Sequence, residues 1–147
     1  MKISTLFSII AALACLPVSA NDILVGSFGH EFTRQNGDVV WKIHPKGNFY
    51  ELHTLGDNSK STIKPMNSKA LNDFWKKMLW PTSTTIGASC LANAEDVFCY
   101  VPKDQQEKID WISGNKSSFF YYSTMAGIME VNKIDHQLAQ DTKNGHK

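Results

Sequence analysis

The stretch VVWKIHPKGNFYELH, residues 39–53, decides the fold of this chain. It consists of two runs of β-branched and aromatic residues around Pro45-Lys46-Gly47, a segment of turn-forming residues. In the first run Val39, Trp41 and Ile43 fall at alternate positions, so they share one face of a strand while the residues between them share the other. The stretch therefore predicts a β-hairpin with one buried face and one face in water.

Strand signals recur on both sides of this hairpin. A strong turn signal, Asn36-Gly37, precedes it. Apolar and aromatic runs of strand length occupy Ile23–Phe28, Val97–Val101, Ser117–Tyr122 and Ile128–Ile134. The last two runs flank a turn through Thr124–Gly127 and form the clearest hairpin in the chain. This order of strands and turns predicts an antiparallel meander sheet or a partly open barrel.

Between the strands, the period of the apolar residues changes to that of a helix. They fall at i, i+3, i+4, i+7 and i+8, at Leu71, Phe74, Trp75, Met78 and Leu79. Asn67 or Ser68 can accept hydrogen bonds from the first turn, and Pro81 is expected to end the helix after Trp80. We therefore expect one main helix over about 68–80, packed on the sheet.

A short helical turn is expected near 104–112. Asp104 and Glu107 have the spacing of a capping box. The apolar residues of this turn are Ile109, Trp111 and Ile112. Together, these elements predict an α+β fold that is mainly β.

The N-terminus is typical of a cleavable secretory signal peptide over residues 1–20. Lys2 provides a positive charge, residues 6–16 form an apolar core, and Val18-Ser19-Ala20 are small residues at a cleavage site. A membrane span requires roughly 20 apolar residues, and Pro17 interrupts this run after about a dozen. The segment therefore predicts export and no membrane span.

Export sets the expected compartment and the limits of the folded part. Cleavage after Ala20 leaves a single β-rich domain over 21–136 and a flexible tail over 137–147. The expected destination is the periplasm, or the extracellular space if the source is not a Gram-negative bacterium. Lipid attachment at Cys15 is the alternative to ordinary cleavage.

The charges of the exported chain balance. The full sequence has 15 Lys and Arg against 14 Asp and Glu, and cleavage removes Lys2 alone among them. A chain without excess positive charge lacks the electrostatic footprint of nucleic-acid binding or of attraction to an anionic membrane. We therefore expect neither as a partner.

The exported chain keeps two cysteines, Cys90 and Cys99. In an oxidising compartment this pair predicts one disulfide that closes a short loop. A redox-active pair is the less favoured interpretation, because the tight Cys-x-x-Cys spacing that lowers a thiol pKa is absent.

The sequence lacks the common catalytic motifs. It contains no Gly-x-Ser-x-Gly, no His-Glu-x-x-His, no Gly-rich phosphate loop and no EF-hand loop. His44 and His53 could be cross-strand neighbours, yet no cysteine or carboxylate is spaced to complete a metal site around them. We therefore expect no enzyme, no metal and no cofactor.

Two surfaces are candidates for binding a partner. The run Phe119-Phe120-Tyr121-Tyr122 places large rings on both faces of one strand. Either some of these rings are exposed as interface anchors, with Phe119, Tyr121 and Tyr122 as the candidates, or a helix covers the second face. The other candidate is the loop between the two cysteines, which carries Glu95 and Asp96, because a covalently tethered loop loses less entropy on docking.

Part of the sequence resembles a known group of proteins. Leu24–Phe28, Val40–Ile43 and Gly47–Tyr50 are similar to the first strands of small calycin-like or lipocalin-like β proteins of the bacterial periplasm. That group includes lysozyme inhibitors and immunity proteins that neutralise wall-degrading toxins. The resemblance implies a binding function, and it assigns no inhibitory residue because the Ser-Gly-x-x-Tyr signature of one inhibitor family is absent.

Three functions are therefore open. The first is a periplasmic binding protein that neutralises a protein partner, a secreted hydrolase or toxin, by occlusion with a rigid loop or an aromatic patch; an immunity protein against a peptidoglycan-degrading toxin is one such protein. The second is a carrier of small apolar ligands, with a barrel interior lined by Trp41 and Phe49. The third is a secreted effector of a eukaryotic microbe, with Asn115-Lys116-Ser117 as a glycosylation sequon.

Overall fold

The computed structural model describes residues 20–30 and 38–134 of the chain. In these ranges eight antiparallel strands follow one another around a closed barrel, in which the first strand also pairs with the last. The strands are β1 (Gly26–His30), β2 (Trp41–Lys46), β3 (Phe49–Thr54), β4 (Ser59–Pro65), β5 (Ser89–Ala92), β6 (Asp96–Tyr100), β7 (Phe119–Ser123) and β8 (Gly127–Ile134). The α+β, mainly β fold is thus confirmed, and the meander closes completely.

The hairpin of residues 39–53 forms as β2 and β3. Trp41 and Ile43 are buried on its inner face, opposite Thr54 and Leu52. The turn differs from the expected one, because β2 continues through Pro45 and Lys46 and the chain reverses at residues 47–48. Gly47 has a φ of 65°, a left-handed conformation that glycine adopts without the steric cost of a side chain.

Two strands, β4 and β5, lie in segments without a strand signal. Of the seven residues of β4, only Ile63 is fully buried, and β5 has four residues. Ile23 and Leu24, expected in the first strand, belong instead to a 3-10 helix, Ala20–Leu24. Leu24 is fully buried in the barrel core, so this helix contributes to the interior.

The apolar side chains form two clusters, one on each face of the sheet. The cluster inside the barrel contains Leu24, Phe28, Trp41, Ile43, Tyr50, Leu52, Ile63, Leu91, Phe98 and Val131. The outer cluster includes Leu71, Phe74, Trp75, Trp80, Cys90, Val97, Cys99, Ile109, Ile112 and Phe120. Strands β5 to β7 therefore have both faces covered, one by the interior and the other by helical segments.

The main helix, α1, spans Ser68–Lys77 and is shorter than the expected 68–80. It begins as expected, since the Asn67 side chain accepts a hydrogen bond of 2.9 Å from the Ala70 N–H. It ends in a Schellman motif rather than at Pro81: the Leu79 N–H donates to the Lys76 carbonyl and the Trp80 N–H to the Trp75 carbonyl.

Leu79 departs from the expected apolar stripe. It occupies the left-handed position of the Schellman motif, with a φ of 59°, and its side chain is 92% exposed. The helical periodicity placed it with Leu71, Phe74 and Trp75 on the buried face. The motif turns the chain away from that face, so this part of the prediction is wrong.

The second helix, α2, spans Lys103–Gln106 and is followed by turns to residue 114. Its N-cap is Pro102, so the predicted capping box of Asp104 and Glu107 does not form. Ile109 and Ile112 are buried as expected, but Trp111 is 77% exposed. The short helical region therefore packs through two of its three apolar residues.

Several expectations lie outside the described residues: the signal peptide apart from Ala20, Cys15, the Asn36-Gly37 turn and the tail 137–147. Within the described part of the chain, no helix has the length and apolar character that crossing a membrane requires.

The left-handed conformation of Leu79 predicts that a glycine at this position stabilises the protein. Replacing Leu79 with glycine is expected to raise the free energy of unfolding by about 1 kcal/mol, because glycine adopts the left-handed conformation without a clash of Cβ. Urea denaturation measures this change. Leu79→Ala is the matched control, since it removes the same exposed side chain but keeps Cβ; an equal gain in both variants contradicts the strain argument.

Candidate functional site

The turns after β3, β5 and β7 lie at one end of the barrel, which we call the loop end. Antiparallel pairing requires this arrangement, because odd-numbered strands run towards that end and even-numbered strands return from it. The turn after β5 is residues 93–95 and the turn after β7 is residues 124–126. The predicted residues Glu95 and Asp96 are therefore at the loop end.

The disulfide between Cys90 and Cys99 holds the base of the β5–β6 hairpin, which confirms the predicted pairing. The two residues are direct cross-strand partners, with Cα atoms 4.2 Å apart. Both are buried in the outer cluster under α1. The covalent link therefore constrains a hairpin with only three residues between its strands.

Asn93 organises the tip of this hairpin. Its side-chain oxygen accepts hydrogen bonds from the Glu95 N–H (2.8 Å) and the Asp96 N–H (2.7 Å). Its side-chain amide donates to the Asp96 carboxylate (3.1 Å) and to the Ser61 hydroxyl (3.3 Å) of β4. An asparagine that bonds the backbone two and three residues ahead fixes a tight turn. The tip is thus held by its own side chains as well as by the disulfide.

Tyr121 anchors the hairpin from the neighbouring strand. Its hydroxyl donates a hydrogen bond of 2.5 Å to the Asp96 carboxylate. Its ring contacts Trp41 and Phe98, with centroid distances of 4.9 and 5.0 Å. Burial, and then the bond to the Asp96 carboxylate, raise the pKa of Tyr121 from its ordinary value of 10.0 to about 12.

The tip and the adjoining turn after β7 expose side chains of different chemistry, among them Glu95 and Met125. Glu95 is exposed, and its carbonyl accepts a hydrogen bond of 3.2 Å from the Thr124 N–H of the next turn. In that turn the Ser123 hydroxyl accepts from the Met125 and Ala126 N–H groups, and Met125 is 97% exposed. The two joined turns therefore present a carboxylate and an apolar side chain.

The predicted site residues do not form one surface. Glu95, Asp96 and Tyr121 come together at the loop end, where Asp96 and Tyr121 support the exposed Glu95. Phe119 lies inside the barrel against Phe28, at a centroid distance of 5.5 Å. Tyr122 lies on the outer face, with the Lys77 ammonium 5.3 Å from its ring centroid. Alternation along β7 places Tyr122 on the face opposite Phe119 and Tyr121.

Sequence reasoning did not identify two contributors to the loop end, Asn93 and Met125. The order Asn93-Ala94-Glu95-Asp96 carries the signal of an Asn-capped turn, which could have been recognised. Met125 stands in the middle of a predicted turn, where an apolar side chain has no strand face to occupy. Both signals are local, so they were available before the structure.

The barrel interior bears on the carrier hypothesis. Trp41 lines it as expected. Phe49 precedes the buried Tyr50 in β3 and is not part of the interior cluster. The Phe98 ring contacts the rings of Phe28 and Trp41 at centroid distances of 5.5 and 5.6 Å. Carriage of a ligand stays a prediction that this ring packing does not favour.

The histidines and carboxylates of the described residues do not assemble into a metal site. The described residues contain no group of three or more His, Cys, Asp and Glu side chains that could hold a metal. His44 faces Glu51 across the hairpin, and His53 bonds the Asn58 side chain, so they are not direct partners. Asp96 is engaged by Tyr121 and Asn93. The arrangement is suited to present Glu95 to a partner.

Comparison of the chain with protein-family models, with curated proteins and with solved structures gives no match. The resemblance to lysozyme inhibitors and immunity proteins therefore stays a prediction.

The burial of Tyr121 and its bond to Asp96 together predict a pH dependence of stability. Because the pKa of Tyr121 is raised by folding, its extra stability is present below pH 10 and is lost as the pH rises towards 12. Tyr121→Phe is expected to lower the free energy of unfolding by ~1 kcal/mol at neutral pH. The difference from wild type shrinks between pH 10 and 12, as chemical denaturation would measure. Tyr122→Phe is the control. If the difference in unfolding free energy between wild type and Tyr121→Phe stays constant from pH 10 to 12, the assignment of this stabilisation to the Tyr121 hydroxyl is wrong.

Proposed function

We propose that this protein is an exported binding protein that neutralises a partner enzyme by occlusion, and that the partner is a peptidoglycan-degrading toxin. The observation that carries the proposal is the preorganised β5–β6 tip, with Glu95 exposed at its end. The resemblance of the first strands to periplasmic inhibitors and immunity proteins supports the same class of function.

Preorganisation supports inhibition by a loop. A flexible loop loses conformational freedom when it docks, and this cost reduces the affinity. Here the disulfide, the Asn93 bonds and the Tyr121–Asp96 bond order the tip before a partner arrives. Such a tip therefore loses less conformational entropy on docking than a flexible loop does.

The shape and chemistry of the tip fit an enzyme cleft. An enzyme that cleaves a polymer has an open cleft, and a hairpin with a three-residue tip is narrow enough to enter one. The Glu95 carboxylate can bind cationic or N–H groups there. Met125 adds an apolar contact beside it, at the adjoining turn. Met side chains adapt to irregular apolar surfaces, which suits the edge of such an interface.

The compartment forms part of the same proposal. The predicted signal peptide over residues 1–20 directs the chain to the periplasm, where peptidoglycan is located. A disulfide is compatible with that oxidising compartment. An inhibitor of a wall-degrading toxin acts at the place where the toxin acts.

The decisive experiment uses a wall hydrolase encoded beside the gene. The purified protein is expected to form a complex with this hydrolase and to stop its cleavage of peptidoglycan. Glu95→Lys is expected to weaken the complex at least about tenfold, equivalent to ~1.4 kcal/mol, since the reversed charge enters the cleft. Calorimetry and an inhibition assay measure the two effects.

Glu107→Lys is the matched control for Glu95→Lys. Glu107 is also exposed, it follows α2 away from the loop end, and its substitution changes the net charge by the same amount. An unchanged affinity is expected for this variant. Equal weakening by both variants, or a wild-type protein that binds no such hydrolase, overturns the proposal.

A further inference from the structure

A groove lies on the outer face of the β7–β8 hairpin, and Glu95 is not among the residues that line it. Its walls are the C-terminal end of α1, the segment after α2 and the first half of β8. The volume is about 390 Å³, within the range of small-ligand sites. The apolar wall consists of Met78, Leu79, Trp111 and Ile128.

We propose that this groove binds a neutral saccharide. Trp111 provides the first argument, because an indole that is 77% exposed is a flat apolar surface without a partner in the described residues. The C–H face of a sugar ring stacks on such a surface. The other three tryptophans, Trp41, Trp75 and Trp80, are at most 6% exposed.

The hydrogen-bonding groups of the groove provide the second argument. Glu130 Oε1 accepts from the Lys116 and Ser117 N–H groups, and this fixes the carboxylate. Its other oxygen, the Tyr122 hydroxyl and the Asn115 side-chain amide have no hydrogen-bond partner among the described residues. Donors and acceptors that surround an apolar surface match the hydroxyl groups at the edge of a sugar ring.

The charges of the groove indicate that its ligand is neutral. Lys77 brings one positive charge, over the Tyr122 ring, and Glu130 brings one negative charge. A charged ligand of either sign would therefore meet one charge of its own sign in the groove. An apolar lipid would leave the polar groups without partners, at a cost in free energy.

The closed barrel argues against a peptide strand in this groove. Peptides that bind sheets add a strand to a free edge. In this barrel every strand has two paired neighbours, including β7 and β8 beside the groove. Recognition therefore depends on side chains, as saccharide binding does.

Leu79 supports a ligand-binding role for the groove. A leucine in a left-handed conformation costs free energy, and its side chain buries almost no surface to offset that cost. Glycine would suit the same helix end without strain. Strain of this kind is concentrated at functional sites, and here the strained residue forms the edge of the groove.

The test is a titration of the full protein with two neutral probes, tri-N-acetylchitotriose and cellotriose. Saturable binding of at least one, with a Kd of about 1 mM or tighter, is expected by calorimetry. The intrinsic fluorescence is expected to change as well, because Trp111 is the exposed tryptophan. Binding should also protect Trp111 from a soluble quencher such as acrylamide.

Variants connect the binding to the groove. Trp111→Ala is expected to lower the affinity at least about tenfold, and Leu79→Gly about threefold while the protein becomes more stable. Ile86→Ala removes an exposed apolar side chain that does not line the groove, and it should leave the affinity unchanged. Circular dichroism verifies that each variant folds.

Other results overturn the proposal. It fails if neither probe binds, or if binding is the same in wild type and Trp111→Ala. It also fails if Trp111→Ala weakens a complex with the wall hydrolase while no sugar binds, since the groove is then a protein contact. Glu95 does not line the groove, so Glu95→Lys is expected to leave sugar binding unchanged, and the two proposals can fail separately.

Discussion

Strands β5, β6 and β7 are buried on both faces, and the rest of the structure depends on this packing. Successive side chains of a strand point to opposite faces, so large apolar residues at consecutive positions need a cover on each side. In β7 the interior of the barrel covers one face, and α1 covers Phe120 on the other. Cys90 and Cys99 belong to the face under α1, so their disulfide is part of the core.

The rigidity of the loop end follows from this double cover. The strands that carry the β5–β6 tip are held from inside and outside and are cross-linked at their base. Beyond them, polar bonds replace apolar packing: Asn93 orders the backbone of the tip, and Tyr121 reaches Asp96 from the adjoining strand. A surface loop is usually among the most mobile parts of a domain, and here it is constrained throughout.

The sequence predicted elements that have a strong local pattern and missed those that depend on distant partners. The β2–β3 hairpin, the start of α1 and the disulfide were predictable because alternation, an Asn cap and two cysteines are local signals. Strand β4 has one fully buried residue, so its pairing with β3 and β5 makes it a strand. The contact of Tyr121 with Asp96 depends on register across 25 residues, which local patterns do not encode.

The residues at which periodicity failed carry their own information. Leu79 and Trp111 both continue an apolar pattern, yet both are exposed, and both line the same groove. In sequences whose local signals otherwise agree with the fold, such conflicts are expected at functional sites. Tyr121 and Tyr122 are adjacent in β7 and belong to opposite faces, one supporting the loop end and the other lining the groove. The two surfaces share a strand but no side chain, so a substitution in one leaves the side chains of the other in place.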